Sequence, residues 1–183
     1  MPRQKTISDE QVLSAALAVL AAKGTGFTLS EVAEHVGLSR ATLIQRFGDR
    51  SAILRRMAEH EVAMTREWLA SLPIEQGEGA LWRFLETIVG SMGAGEGFGV
   101  RVALAALETD DPYLRRLAGQ RYMLVQRAIA ERLPDSPQRL ERAQHLHAII
   151  AGASMQWVAS DGAVGLSDFI LRRLGWALEH ENG

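Results

Sequence analysis

The amino-acid sequence predicts an all-α protein with about nine helices. Apolar residues recur at intervals of three and four along most of the 183 residues, and the alternation typical of strands is nearly absent. The helical segments are also bounded by recognisable signals, which are capping boxes, prolines at first helical positions and glycines at helix ends. Together these two observations favour an all-helical fold.

Three short helices are predicted before residue 50. Ser8 and Gln11 form a capping box that starts the first helix, and Thr28 and Glu31 form a second capping box. Ser39 is placed to cap the third helix. Three glycines close these segments: Gly24, Gly37 and Gly48.

Six further helices are predicted after residue 50. Asp111-Pro112 and Ser136-Pro137 each place a capping residue before a proline at the first helical position, and Ser167 caps the last helix. Residues 73–79, with one proline and two glycines, form the clearest linker. The predicted helices cover approximately 51–72, 80–92, 100–107, 112–133, 137–159 and 167–180.

The composition excludes several classes of protein and site. The chain contains no cysteine, which excludes disulfides, thiolate metal sites and cysteine nucleophiles. Its apolar runs are shorter than the roughly 20 residues that span a bilayer, and its start lacks the apolar stretch of a signal peptide. We therefore expect a cytoplasmic protein that does not bind membranes.

Charge is distributed unevenly along the chain. The net charge is −2, but residues 1–60 carry eight basic and six acidic residues, whereas the remainder carries twelve and sixteen. A mildly basic start and an acidic remainder have the signs expected for a small nucleic-acid-binding head on an acidic body.

The second and third predicted helices have the spacing of a helix-turn-helix. They are joined through Gly37 and Leu38, and a tight turn containing glycine is typical of this motif, whose second helix enters the major groove of DNA. Ala33 and Val36 on the first helix face Leu43 on the second, so small side chains allow a close crossing.

The first 50 residues resemble the amino-terminal domain of the TetR family of bacterial transcriptional regulators. In that family an apolar first helix ends in glycine, and a helix begun by threonine follows it. The next segment reads Ala-Gly-Val-Ser-x-Gly-Thr-Leu-Tyr-x-x-Phe and precedes a lysine. Here the matching stretches are FTLSEVA at 27–33 and VGLSRATLIQRFGDR at 36–50. The resemblance implies a helix-turn-helix DNA-binding domain over residues 1–50 and a helical-bundle effector-binding and dimerisation domain over 51–183.

Three positions depart from the family pattern. Ile44 stands where the family usually has tyrosine, whose hydroxyl commonly reaches a phosphate, and isoleucine cannot make that contact. Ala41 replaces the usual glycine. Arg50 replaces lysine and keeps a cation, now with a forked donor geometry.

The resemblance places the DNA-binding residues on and around the third helix. Arg40 and Gln45 are expected to reach base edges, and Thr42, Arg46 and Arg50 to contact phosphates. Two further residues cap helices whose N-termini would point at phosphates. An ordinary solvated helix face is the alternative interpretation for each of them. The predicted DNA-binding residues are Thr28, Ser39, Arg40, Thr42, Gln45, Arg46 and Arg50.

Aromatic and methionine side chains in the middle of the chain are either plain core or the lining of an effector cavity. The resemblance implies such a cavity among these helices, and adaptable methionines suit one. We expect the effector to be small and largely apolar. The predicted effector-binding residues are Met92, Phe98, Tyr122, Met123, Met155 and Trp157.

The last two helices carry small and apolar residues at helical spacing, which suits packing against a second helix pair. By resemblance we expect a four-helix dimer interface there. The predicted interface residues are Leu140, Ala143, His147, Ile150, Ala151, Ser154, Val158, Ile170, Leu174, Ala177 and Leu178.

Other candidate sites lack the necessary context. The glycine-rich stretch 93–99 follows a helix and is not followed by Gly-Lys-Ser/Thr, so a helix connection is favoured over a phosphate-binding loop. Glu141 and His145 are four residues apart, but they lack a third ligand. We expect no metal, no other cofactor and no enzymatic activity.

The sequence therefore predicts a ligand-responsive transcriptional regulator, a repressor that binds an inverted-repeat operator in double-stranded DNA as a homodimer. The alternative is a helical small-molecule-binding or scaffold protein whose helix-turn-helix no longer reads DNA. The isoleucine at position 44 and the modest charge of the head motivate that alternative.

Overall fold

The structure, a computed structural model, describes residues 7–94, 98–160 and 163–180. Within these ranges the chain forms nine α-helices and no strand, which confirms the all-α prediction. None of the described helices combines the length and apolar character needed to cross a membrane. The helices are α1 (Asp9–Lys23), α2 (Leu29–Val36), α3 (Arg40–Phe47), α4 (Arg50–Ser71), α5 (Glu78–Gly90), α6 (Phe98–Asp110), α7 (Pro112–Ala130), α8 (Arg139–Val158) and α9 (Leu166–His180).

The helices group into two compact units. The first consists of residues 7–64 and 98–120, and the second of residues 65–94, 121–160 and 163–180. Two helices, α4 and α7, therefore contribute to both units. The predicted functional division between residues 50 and 51 lies elsewhere in the chain and stays a prediction.

The core of the first unit is built from the inward sides of α1 to α4, with contributions from α6 and α7. Leu43 and Phe47 of α3 are buried in it, so the inward face of that helix is fixed by packing. Fully buried members from four segments are Val12, Leu20, Phe27, Val32 and Met57.

Both predicted capping boxes are present. Ser8 accepts a hydrogen bond from the backbone N–H of Gln11, and the side chain of Gln11 accepts one from the backbone of Ser8. Thr28 and Glu31 form the same reciprocal pair at the start of α2. Such pairs satisfy backbone donors that a helix leaves free at its first turn, which is why these helices begin where the sequence predicts.

The second unit has its own core, formed by α5, α8, α9, the end of α4 and the second half of α7. Arg132 is buried within this unit and forms no salt bridge with a carboxylate of the described residues. Its guanidinium donates to the carbonyls of Ala128 (2.8 Å), Leu72 (3.3 Å) and Pro73, and it lies 3.6 Å from the centroid of the Phe84 ring. Burial lowers the pKa of Arg132. Arg132 thus satisfies carbonyls at the carboxyl ends of α4 and α7.

Two predicted helix starts were wrong. Ser136 does not cap α8, because residues 136–139 form a turn closed by a hydrogen bond from the Arg139 N–H to the Ser136 carbonyl, 3.1 Å. Proline has the same φ in a turn and in a first helical turn, so the sequence signal is shared. At the last helix, α9 begins one residue before Ser167, which therefore lies inside the first turn.

Candidate nucleic-acid interface

The turn between α2 and α3 sets the direction of α3. Gly37 has a left-handed backbone (φ 70°), and the N–H of Leu38 donates to the carbonyl of Ala33 over 2.9 Å. This glycine closes α2 in the manner of a helix C-cap. Ala33 is buried at the crossing, where its small side chain leaves room for α3. The pair is a helix-turn-helix, as the spacing predicts.

The outward face of α3 consists of four exposed residues: Arg40, Ala41, Ile44 and Gln45. They form two pairs spaced four apart, so they lie side by side on one stripe of the helix. This outward stripe contains a forked cationic donor and an amide, the two side-chain types that pair in bidentate fashion with guanine and adenine in the major groove. It contains no acidic residue.

Ser39 and Thr42 are used within the helix itself. Ser39 accepts a hydrogen bond from the backbone N–H of Thr42 (3.0 Å), and the two hydroxyl groups lie 2.8 Å apart. These bonds fix the first turn of α3. The N-terminus of the capped helix favours an anion, so the predicted phosphate contacts of both residues stay predictions that this geometry suits.

Thr28 caps α2 and also donates hydrogen bonds to the carboxylate of Glu31. Glu31 accepts hydrogen bonds from the backbone N–H of Thr28 (2.8 Å) and from its hydroxyl (3.0 Å), and Lys23 lies 3.6 Å away. These partners, led by the Thr28 backbone donor, lower the pKa of the Glu31 carboxyl. Thr28 remains exposed at the start of α2.

Arg46 holds the start of the chain's first helix against α3. Its guanidinium donates to the carbonyl of Ile7 over 3.0 Å and forms an ion pair with Asp9, which Arg56 also approaches at 3.6 Å. The charge of Arg46 is therefore paired within the protein. The geometry gives this residue a positioning role, and its predicted phosphate contact stays a prediction.

Arg50 is bonded differently, because its partners are neutral. Its guanidinium donates to the carbonyls of Phe27 (3.0 Å) and Thr25 and stacks over the Phe27 ring, 4.5 Å from the centroid. It forms no ion pair with any residue that the structure describes. Arg50 therefore fixes the turn between α1 and α2 and also leaves an uncompensated positive charge beside it.

The structure describes the side chains of five of the six predicted effector-binding residues. Met92 and Trp157 are half-buried, and the Trp157 indole donates to the carbonyl of Val164 over 2.7 Å. Tyr122, Met123 and Met155 are exposed. The side chain of Phe98, also predicted to bind effector, lies outside the described residues. All six assignments stay predictions.

A contact cluster joins one of these residues to α8. The Tyr122 ring meets the His147 ring edge-on, with centroids 5.3 Å apart, and the Gln126 amide lies 3.5 Å from Nδ1 of His147. His147 is one of the predicted interface residues, and Gln126 belongs to none of the predicted sites. Such a cluster has no sequence signature, because His147 lies more than twenty residues from Tyr122 and Gln126.

The second unit has a groove of about 820 Å³ between α8 and α9. Its α8 side follows one helical stripe through Ala148, Gly152 and Gln156, and its α9 side includes Trp176, which is 65% exposed. Of the predicted interface residues only Ala177 lines it. We name this surface the α8–α9 groove.

Much of the predicted dimer face is buried inside the protomer instead. The structure corrects five residues of that set, which pack in the core of the second unit: Ala143, Ile150, Ser154, Ile170 and Leu174. Both faces of α8 carry small or apolar residues, so the sequence alone does not decide which face is buried. Within the described residues no group of acidic or histidine side chains is arranged to hold a metal ion.

Comparison with known proteins gives a family match for the helix-turn-helix region and similar solved structures for the fold. Residues 12–57 match the family model of bacterial regulatory proteins, tetR family. None of the curated proteins matches the sequence. The match covers α1, α2, α3 and the start of α4, which are the elements that build and support the outward stripe.

Solved structures share the whole fold. A proposed transcriptional regulator from Saccharomonospora viridis, in complex with choline, has 21% identity, covers 93% of this chain and 95% of its own, and superposes with a TM-score of 0.76. A transcriptional regulator from Rhodococcus sp. Rha1 has 19% identity, the same coverages and a TM-score of 0.74. A proposed TetR-family regulator from Mesorhizobium loti has 16% identity, again 93% and 95% coverage, and a TM-score of 0.71. These three structures are all described as transcriptional regulators and none as an enzyme.

Proposed function

We propose that this chain, whose residues 12–57 match the family model of bacterial regulatory proteins, tetR family, is a ligand-responsive repressor that binds an inverted-repeat operator as a homodimer. The family assignment makes the chain a DNA-binding regulator of transcription. The operator, the dimer, the repressor role and the effector are our proposals.

The proposal rests on a difference between two sets of residues on and around α3, of which one is bonded within the protein and the other is exposed. Ser39, Thr42 and Arg46 are engaged in bonds within the first unit, whereas Arg40 and Gln45 are exposed on the outward stripe. Base readout needs side chains that are free to bond on a helix that is held rigidly. We assign base contacts to Arg40 and Gln45, and phosphate contacts to the helix N-termini with Thr28, Ser39 and Thr42.

Arg46 and Arg50 act less directly in this proposal. Arg46 keeps α3 in place through its bonds to the start of α1. Arg50 holds the α1–α2 turn and adds its unpaired charge to the field that attracts phosphates. Phosphate contact by either side chain requires it to exchange bonds that it already makes.

The α8–α9 groove supports the homodimer. Trp176 is 65% exposed and lies beside small residues of the groove. Protein interfaces often bury an exposed aromatic side chain of this kind. Gly152 and Ala148 permit close approach of a helix, since a Cβ added at Gly152 would meet nothing within 4 Å. A second copy packed there would form a two-fold interface and present two α3 helices to an inverted repeat.

The effector is proposed to bind the second unit and to weaken DNA binding. The similar regulator from Saccharomonospora viridis is a complex with choline, so choline is a reasonable first probe beside apolar compounds. We assign the site to those predicted residues that belong to the second unit: Met92, Tyr122, Met123, Met155 and Trp157. Since α4 is continuous from Arg50 to Ser71, a ligand that displaces its later turns would also move the end that follows α3. About 1.4 kcal/mol of preference for the non-binding state is needed per tenfold loss of DNA affinity.

A gel-shift experiment with the DNA that flanks the gene tests this function. We expect a retarded complex that unlabelled flanking DNA displaces and unrelated DNA of equal length does not. Absence of any such complex, with the protein shown to be folded, would favour the scaffold alternative.

A further inference from the structure

Ile44 is an apolar side chain on a polar surface. It is 38% exposed and lies on the outward stripe of α3. Among the described residues it belongs to neither hydrophobic core, although its neighbours Leu43 and Phe47 are buried in the first. The exposed part of its side chain therefore faces solvent in the free protein, within the face that we assign to DNA.

The residues around Ile44 determine what it can approach. Arg40 lies one turn before it on the same stripe, and Gln45 follows it directly. Ala41, three residues before it, is exposed and has the smallest side chain of the stripe. When Arg40 and Gln45 reach base edges, Ile44 is carried to the floor of the major groove between them.

The major groove offers one apolar group, which is the 5-methyl of thymine. We infer that Ile44 is a specificity-determining residue that packs on a thymine methyl in each half-site. The inference rests on the proposed function, because it requires that α3 enters the groove. Isoleucine suits this role since its branched Cβ restricts χ1 and holds the side chain in one direction on a helix.

The energetic size of such a contact is modest and measurable. Burying one methyl-sized group changes affinity by about fourfold. That factor is far smaller than the effect of losing a charged or bidentate contact, so it has to be measured by removing the methyl group alone.

Thymine-to-uracil substitution does this, because it removes the methyl group and leaves the hydrogen-bonding edge intact. The full chain is first used to select its preferred duplex from a random library. Each thymine of the selected half-site is then replaced singly by deoxyuridine, and Kd is measured by fluorescence anisotropy. For the wild type we expect about a fourfold increase in Kd at one thymine of each half-site and no change at the others.

Three variants identify the side chain responsible. Ile44→Val keeps a branched apolar group and should retain the sensitivity to uracil, whereas Ile44→Ala should bind both duplexes equally. Met64→Ala, which truncates an exposed apolar side chain of α4, is the control and should retain the sensitivity. Thermal unfolding of each variant checks the fold, which the exposure of position 44 is expected to preserve.

The outcomes separate this inference from the proposed function. Sequence-specific binding with no uracil-sensitive thymine, a selected half-site without thymine, or unchanged sensitivity in Ile44→Ala would overturn the role of Ile44 and leave the DNA-binding function in place. Failure of the wild type to select any sequence would overturn both.

Discussion

The α2–α3 pair and the α8–α9 pair expose different kinds of surface. In the first pair two of the four residues on the outward stripe of α3, Arg40 and Gln45, are polar. The polar residues beside the stripe are held by the Ser39 cap and by the bonds of Arg46. In the second pair the exposed side is a groove of about 820 Å³ with a largely exposed tryptophan, and α8 starts without a side-chain cap.

This difference indicates two kinds of partner. A rigid polar stripe with a cation suits a hydrated, negatively charged duplex, where position and hydrogen bonding decide binding. A groove that is apolar over most of its lining suits another protein surface, where removal of area from water decides binding. The comparison predicts that the two surfaces respond in opposite ways to salt and to added charge.

Salt should separate the two surfaces most strongly. Two heads that together make several phosphate contacts should lose on the order of a thousandfold in DNA affinity between 50 and 200 mM salt, because counterions are released on binding. The proposed dimer, which would bury mainly apolar surface, should not weaken over this range. Anisotropy titrations and analytical ultracentrifugation in the same buffers measure the two effects. DNA affinity that does not change with salt would contradict the assignment of α3.

A charge placed in the α8–α9 groove should break the dimer. Ala148→Arg adds a cation to a groove that already contains Arg172 and Arg173. Burial of the new cation should cost on the order of 3 kcal/mol, which raises the Kd of the dimer at least a hundredfold. Ala148→Glu should cost less, since it adds the opposite charge beside these arginines.

The matched control for position is Ala70→Arg, which puts the same side chain on an exposed alanine of α4 in the same unit. Sedimentation should show a dimer for it and a monomer for Ala148→Arg. Trp176 fluorescence should shift to longer wavelength only in the monomeric variant. Equal dimerisation of both arginine variants would place the interface on another surface.

The smallest effects concern the capping box of α2. Thr28→Ala should lower the free energy of unfolding by about 1 kcal/mol through loss of a capping acceptor. The pKa of Glu31 is lowered in the folded state, so its contribution to stability is present at neutral pH and is lost as the pH falls below its ordinary value of about 4.5.

Glu31→Gln tests this, because the amide keeps an acceptor oxygen and does not titrate. The Tm of the wild type should fall more than that of Glu31→Gln between pH 6 and pH 3. Glu34→Gln lies on the same helix and outside the capping box, so its Tm should fall as much as that of the wild type. Parallel curves for the wild type and Glu31→Gln would show that the Thr28–Glu31 pair does not contribute to acid stability.

The sequence predicts those features that depend on residues three or four apart. The capping boxes at Ser8 and Thr28 and the left-handed glycine at position 37 are local, so their consequences follow from the sequence alone. The predicted start of α8 was wrong, because Ser136 and Pro137 suit a turn as well as a helix.

Features that depend on distant residues could not be predicted. Arg46 and Arg50 contact carbonyls that lie 39 and 23 residues away in the sequence, so their internal bonds were not foreseen. The buried face of α8 could not be predicted either, because this helix has small or apolar residues on two faces. Only packing against α9 and the rest of the core decides which of them is buried.

The central claim is that the outward stripe of α3 reads duplex DNA, and selection from a random duplex library tests it most directly. The wild type should enrich an inverted repeat. Arg40→Ala and Gln45→Ala should each lose preference at particular base pairs, at about 1–3 kcal/mol per contact, whereas Thr42→Ala should weaken all sequences alike and keep the same preferred site. Enrichment of one identical sequence by the wild type and by both base-contact variants would contradict the claim.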